Sequence, residues 1–202
     1  MHAVAIAHDG ALTTWGSDSF ARPNGDVVTG LLNAPEGGPF KEVAARVLYS
    51  VALHEDGTLY FWGNEPTGTN FLDRWAATPE DPEIFYFPGE TFKAIAAGNA
   101  HALAMRPDGT VTGWGNGTGG ALQPSAHVRF KAVAAGSGFS IGLDSDGTLW
   151  GWGTPVKSPF AAQAWTFASQ GWTRYGDSEH YYIPGERFKS IAAAAFHITA
   201  GP

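Results

Sequence analysis

One short pattern recurs four times along this chain and decides most of what it can become. It reads HAVAIAHDGALTTWG from His2, YSVALHEDGTLYFWG from Tyr49, HALAMRPDGTVTGWG from His101 and FSIGLDSDGTLWGWG from Phe139. A second landmark alternates with it: FKEVAAR at Phe40, FKAIAAG at Phe92, FKAVAAG at Phe130 and FKSIAAA at Phe188. Segments kept in constant order mark a repeat protein, in which each cassette is one supersecondary unit that cannot bury its apolar face alone.

Each landmark has a physical reading. Asp-Gly between two alternating runs signals a hairpin, because a tight turn needs positive φ. Asp9-Gly10, Asp56-Gly57, Asp108-Gly109 and Asp146-Gly147 are therefore expected at turn tips. The Ala-Ala after Phe-Lys has another cause: where strands converge on a shared axis, side chains must be small for backbones to approach. These runs are expected to be the innermost strands. Trp15, Trp62, Trp114 and Trp152 close the hairpins at one fixed position, where a large ring fills the wedge between neighbouring sheets.

Cassettes of about 40 to 50 residues with three or four short strands are the signature of β-propeller blades. The expected fold is all-β, a single β-propeller domain of four repeats over residues 1–202, with cassettes 1–39, 40–91, 92–129 and 130–187 and a closing strand segment 188–202. The order Ala-Ala-Gly, His or aromatic, alternating run, Asp-Gly, Trp-Gly resembles the regulator of chromosome condensation repeat over nearly the whole chain. That resemblance implies a β-propeller, usually of seven blades. It implies no one function, since the family includes a nucleotide exchange factor, a plant UV-B photoreceptor and secreted β-lactamase inhibitors. The photoreceptor's Gly-Trp-Arg-His-Thr signature is absent, and GWTRY at Gly171 does not replace it.

The chain departs from the family in three ways. Its four hairpins are about half the usual number. The connections from Trp62 to Phe92 and from Trp152 to Phe188 are long and end alike, in EIFYFPGETFK and EHYYIPGERFK, which points to duplication of a two-blade unit. FHITA near the C-terminus stands in the repeat register of HAVAI at the N-terminus, so the ends overlap by one strand. Two arrangements follow: a closed four-bladed ring, with the segment from Phe188 completing the first blade, or an open arc whose strand edges dock on another chain.

Composition narrows function by exclusion. Lys and Arg number 12 against 19 Asp and Glu, a net charge of -7, so the cationic surface that nucleic acid or anionic lipid requires is missing overall. Neither nucleic acid nor membrane insertion is expected. With no cysteine, disulfides, thiolate metal sites and cysteine nucleophiles are excluded together. The opening MHAVAIAHDGALTTWG reaches a polar turn without the basic start and apolar run of a signal peptide. The expected location is cytoplasmic, or a virion if the source is viral.

Of seven histidines, His2, His101 and His197 share one repeat position and are expected to hydrogen-bond backbone within each blade. His8, His54, His127 and His180 show no metal-ligand spacing. The clusters GNGTGG at 115–120 and GSGF at 136–139 lack the Gly-Lys-Ser/Thr and following helix of a phosphate cradle and read as turns. No nucleophile, base and orienting group fall together, so no enzyme, metal or cofactor is expected. Asp81 with Glu83 and Asp177 with Glu179 read as loop charge, which leaves carbohydrate an unsupported partner.

The two long connections carry the strongest functional signal, because they gather aromatic residues beside arginines, the composition of protein-binding hot spots on loops. Phe85, Tyr86, Phe87, Tyr181 and Tyr182 alternate as outer strands and are assigned to packing. Trp75, Trp165, Trp172 and Tyr175, with Arg74 and Arg174, are assigned to a protein partner, itself or other subunits of an assembly included. The expected function is a non-catalytic binding or assembly module. The alternatives are a bacteriophage virion component (tail, receptor-binding or capsid-decoration protein) and, by resemblance alone, a small-GTPase regulator.

Overall fold

Phe-Lys and Asp-Gly recur together because one holds the other. The backbone N–H of Phe40 donates to the carbonyl of Gly10, that of Phe92 to Gly57, Phe130 to Gly109 and Phe188 to Gly147, each at 2.8 Å. Every cassette thus starts from the turn tip of the one before. The structure, a computed structural model, describes residues 1–21, 25–64, 76–78, 84–154, 166–168, 171–176, 179–193 and 198–201.

The chain forms two compact units, residues 1–95 and 96–202. In the first, β1 (His2–Ile6) and β2 (Leu12–Gly16) form a hairpin, and β3 (Phe20–Ala21) pairs with β4 (Val27–Val28). Its main sheet holds β5 (Phe40–Ala45), β6 (Tyr49–His54), β7 (Leu59–Gly63), β8 (Ala76–Ala77) and β9 (Phe85–Tyr86) in the order β5-β6-β7-β9-β8. At the junction, β10 (Ala94–Ala97) opens a sheet with β11 (His101–Met105) and β12 (Val111–Gly115). In the second unit β13 (Phe130–Ala135), β14 (Phe139–Asp144), β15 (Leu149–Gly153), β16 (Thr173–Arg174) and β17 (His180–Tyr182) repeat the five-stranded order β13-β14-β15-β17-β16. A hairpin of β18 (Ser190–Ala193) and β19 (Ile198–Gly201) completes it. The fold is all-β, and no helix among the described residues is long and apolar enough to cross a membrane.

The Ala-Ala runs form β5, β10, β13 and β18, each at one edge of its sheet. The expected outer strands appear as β9 and β17, and each long connection adds a further two-residue strand, β8 and β16. The segment from Phe188 pairs with the end of the chain, Ile191 opposite Ala200 and Ala193 opposite Ile198.

The hairpin tips refine the turn expectation. Gly10, Gly57, Gly109 and Gly147 carry φ of 84°, 93°, 84° and 83°, and every described residue with positive φ is a glycine. The aspartates serve differently: Asp9, Asp56 and Asp108 accept the N–H two residues on, from Ala11, Thr58 and Thr110, so their carboxylates close the loop while glycine alone takes the left-handed conformation. In the fourth hairpin Asp144, not Asp146, accepts the N–H of Thr148. A Cβ on Gly109 would lie 2.8 Å from the carbonyl oxygen of Phe130, so glycine here also allows the next cassette to dock.

The tryptophans divide. Trp62 and Trp152 are buried at 0% and 1% exposure. Their indole N–H groups donate to the carbonyls of Leu31 and Ala121, in the turn after the preceding hairpin, at 3.2 and 2.9 Å. They are the expected wedges. Trp15 is not: it is 51% exposed, because none of the described residues covers its hairpin as Leu31 and Ala121 cover the others. In the first unit Phe40, Ala52, Trp62 and Ile84 form a core against which Val4, Ile6 and Leu12 pack. The second unit gathers Phe139, Ile141, Leu149, Phe167 and Trp172, joined by Ile191 and Ile198.

Candidate protein-binding site

The two five-stranded sheets are superposable by pairing, so their differences can be read position by position. Tyr60 opposes Tyr86 where Trp150 opposes Tyr182, and Ala77 opposes Phe85 where Arg174 opposes Tyr181. The next backbone bond also matches, Thr78 N–H to Ile84 and Tyr175 N–H to His180, both at 2.8 Å. Several buried positions are kept: Leu59 and Leu149, Trp62 and Trp152, Ser50 and Ser140. Four outward positions are not. His54 becomes Asp144, Tyr60 becomes Trp150, Ala77 becomes Arg174 and Thr78 becomes Tyr175.

In the first sheet Tyr60 packs edge-on against Phe40 and near His54, which itself lies 2.9 Å from Asp56. In the second, Trp150 donates its indole N–H to Asp144 Oδ2 at 2.8 Å, which fixes the ring plane. Tyr175 meets that ring at 5.1 Å and 71°, Tyr182 lies 5.6 Å away at 34°, and the two tyrosines are 6.3 Å apart. Three amphipathic rings in mutual contact form a half-buried patch, with the Trp150 N–H engaged by Asp144. Tyr175 is its outermost member, 47% exposed. Arg174, one position earlier on the edge strand, holds Glu179 at 3.1 Å, with both side chains largely exposed.

Three of the six residues expected to meet a partner, Arg74, Trp75 and Trp165, lie outside the described residues, as do Asp81, Glu83 and Asp177. Trp172 is 9% exposed, its ring 4.9 Å from Phe167 in the core of the second unit. Arg174 and Tyr175 come together with Tyr182, which the sequence assigned to packing, and with Trp150, to which it gave no role. The signal for Trp150 was present: it is the first tryptophan of LWGWG, at an outward position of an alternating strand.

The histidines on the shared repeat position do something other than expected. His2 Nε2 lies 2.7 Å from Ser50 Oγ and His101 Nε2 lies 2.9 Å from Ser140 Oγ, so each reaches a hydroxyl of the following cassette rather than backbone in its own. Ser140 in turn donates to the carbonyl of Ala121 at 3.0 Å. A His-Ser pair invites a catalytic reading, but both serines are fully buried and the Ser140 proton is already spent on that carbonyl. The pairs are staples between cassettes. His197 lies outside the described residues. Among the described residues no group of three His, Asp or Glu side chains could hold a metal ion.

Burial, and secondarily the charge of the N-terminal amino group, hold the His2 imidazole below its ordinary pKa. The unfolded chain therefore binds the proton more readily. This contribution to stability is fully present above about pH 6.5 and is lost as pH falls through that value toward the folded pKa. Between about pH 7.5 and 5.5 the thermal midpoint of the native chain is expected to fall more than that of His2→Gln, which cannot titrate. Parallel curves for the two would contradict the assignment.

The family model for the regulator of chromosome condensation (RCC1) repeat matches residues 92–121 and 130–155. The Arabidopsis thaliana ultraviolet-B receptor UVR8 is 30% identical over 127 residues, 60% of this chain and 29% of that protein. The Saccharomyces cerevisiae guanine nucleotide exchange factor SRM1 is 27% identical over 139 residues, 57% of this chain and 28% of that one. The chain thus spans under a third of the length of these relatives. Among solved structures, Prp20p from Saccharomyces cerevisiae, studied for binding to Gsp1p and histones, aligns with a TM-score of 0.64 at 20% identity, covering 98% of this chain and 53% of that one. Human WBSCR16 aligns at 0.63 and 16%, covering 98% and 56%. These likenesses establish the fold: the sheets described above are blades of a β-propeller.

Proposed function

Because the chain is built from regulator of chromosome condensation repeats folded as propeller blades, we propose that it is a non-catalytic binding module that presents an aromatic patch to a protein partner. The observation that carries this reading is the patch of Trp150, Tyr175 and Tyr182, in which Trp150 and Tyr175 stand where the matching blade has Tyr60 and Thr78, while Tyr182 repeats Tyr86. Packing explains why Leu149 and Trp152 repeat their counterparts. It does not explain why an alanine and a threonine at the other edge strand are here an arginine and a half-exposed tyrosine. Tyrosine, tryptophan and arginine are the residue types that carry most binding energy at protein interfaces, since they bury large area at low entropic cost. Trp75, Trp165 and Arg74 belong to the same proposal as further contacts from the long connections.

The test is affinity capture from the native source, comparing the native chain with Arg174→Ala/Tyr175→Ala. The double variant is expected to keep its circular dichroism spectrum and to lose its captured protein at least about tenfold, roughly 1.4 kcal/mol. A partner captured equally by both would overturn the reading. A regulator of a small GTPase is the second reading, favoured by the similarity to the exchange factor SRM1. Accelerated nucleotide release from a candidate GTPase would support it, and unchanged release would remove it.

A further inference from the structure

Three of the four hairpin tips tie down their aspartate, and the fourth does not. Asp9 accepts the N–H of Ala11 at 3.0 Å, Asp56 that of Thr58 at 2.8 Å, and Asp108 both the N–H and the hydroxyl of Thr110, at 2.9 and 2.7 Å. Asp146 holds the same place before Gly147, but the N–H of Thr148 goes to Asp144 instead, at 2.8 Å. The cause lies in the sequence. Where Asp144 stands, the other cassettes carry Ala7, His54 and Arg106, none of which has a carboxylate to offer. Asp144 also takes the indole N–H of Trp150 on its second oxygen, so both of its oxygens are engaged. Asp146 is left exposed, and its carboxylate accepts no hydrogen bond from the described residues.

We infer that Asp146-Gly147 is a site of covalent self-modification, aspartate isomerisation, and that it reacts well before the three matched Asp-Gly pairs. The Gly147 backbone nitrogen attacks Asp146 Cγ, a water made of the nitrogen's proton and the carboxyl OH leaves, and a five-membered succinimide closes. Water then opens the ring. Attack at Cγ restores aspartate, whereas attack at the α-carbonyl leaves isoaspartate, with the chain running through the side-chain carbons and no net change in atoms. Glycine suits the step because no Cβ crowds its nitrogen. The attacking N–H is in the same state at all four tips, held by the carbonyl three residues back at 2.9 to 3.1 Å, so the carboxylate is what differs. Hydrogen bonds from Thr58, and from the hydroxyl and N–H of Thr110, hold Asp56 and Asp108 below the usual carboxylate pKa. The neutral acid through which the ring closes is scarcer there. The product adds one atom to the turn between β14 and β15, beside the Gly147 carbonyl on which the Phe188 N–H docks at 2.8 Å.

The four Asp-Gly pairs fall in four different tryptic peptides, 1–41, 47–74, 94–129 and 132–157, since Arg22 and Arg106 precede proline. The native chain is incubated in weakly acidic water enriched in heavy oxygen, then digested in ordinary water. Each ring opening leaves one heavy oxygen on the residue, whichever product forms, and fragmentation in the mass spectrometer locates it. Label and isoaspartate are expected at Asp146 at least about fivefold faster than at Asp9, Asp56 or Asp108, whose carboxylates must first give up a hydrogen bond. In denaturant those bonds are gone, and the four rates should agree within about threefold. Asp144→His copies His54 and leaves the Thr148 N–H to Asp146, which should then react as slowly as Asp56. Equal rates at the four sites of the folded native chain, or a tip other than Asp146 reacting first, overturn the inference whatever the variant does. So does a folded Asp144→His chain in which Asp146 reacts as fast as before.

Discussion

Replacing Trp152 with alanine is expected to lower stability by about 3–5 kcal/mol, the range for removing a fully buried large aromatic side chain. Its ring is 1% exposed and packs against Phe130 at 5.4 Å, and its N–H donates to the carbonyl of Ala121. Truncation would leave a cavity between two cassettes and strand that carbonyl's partnership with it, although Ser140 also donates there. Trp152→Phe keeps most of the ring and loses the N–H, so a loss of about 1–2 kcal/mol is expected. The repeat supplies its own control. Trp15→Ala, at the same position in another cassette, should cost less than about 1 kcal/mol, because half of that ring already meets water. Denaturant midpoints check all three. Equal losses at Trp15 and Trp152 would mean that position in the cassette, not coverage by a neighbour, sets the cost.

That contrast also marks what the sequence could and could not reveal. Repetition made the fold legible: four Asp-Gly tips and four Phe-Lys starts are local signals, and each lies where the spacing places it. The two long connections resolved into added edge strands, legible as far as their alternating ends, EIFYF and EHYYI, but not in β8 and β16, where Ala76–Ala77 and Thr173–Arg174 carry no pattern of their own. Those pairs are strands only because β9 and β17 offer them an edge. Burial was the harder quantity. Trp172 and Tyr175 stand three residues apart in GWTRY, one in the core against Phe167 and the other at the surface. Composition alone treats them alike. What separates them is which side of a two-residue strand each occupies, and that depends on pairing with β17, a long-range contact.

His2 and His101 teach a related lesson. Their repeat position announced a shared structural task, but the partner was a serine one cassette on, at the position of Ser50 and Ser140. Periodic sequence tells which residues share a role within a blade. It does not tell which neighbour they face, because that depends on how one blade stacks on the next. The candidate site has the same origin: Trp150 is placed by β15, Tyr182 by β17 and Tyr175 by the end of β16, and only the order β15-β17-β16 joins them.

Gly151→Ala is expected to destabilise the chain by about 1–3 kcal/mol, the cost of overpacking a filled core. The β carbon would land on the ring of Phe167, 2.6 Å from Cζ. Gly151 occupies the place of Phe61 in the matching sheet. There Phe61 stacks on Tyr49 at 5.5 Å and 21°; here Phe167 reaches into the corresponding space and meets Phe139, the counterpart of Tyr49, at 6.1 Å. Both blades therefore keep one phenyl ring in the same hollow, supplied from β7 in one and from the connection in the other. Phe167→Ala alone should cost about 3–5 kcal/mol. Combining it with Gly151→Phe refills the hollow from the strand, so the double variant should be more stable than the sum of the single losses predicts by at least about 1 kcal/mol. Additive losses in that cycle would show that the two positions do not compete for one space. The exchange would also reach the candidate site, because Phe167 is what Trp172 and Tyr181 pack on, at 4.9 and 5.5 Å. With that anchor moved to β15, β16 and β17 lose the ring that holds them from beneath, and partner capture through Tyr175 is expected to weaken even where stability has been restored.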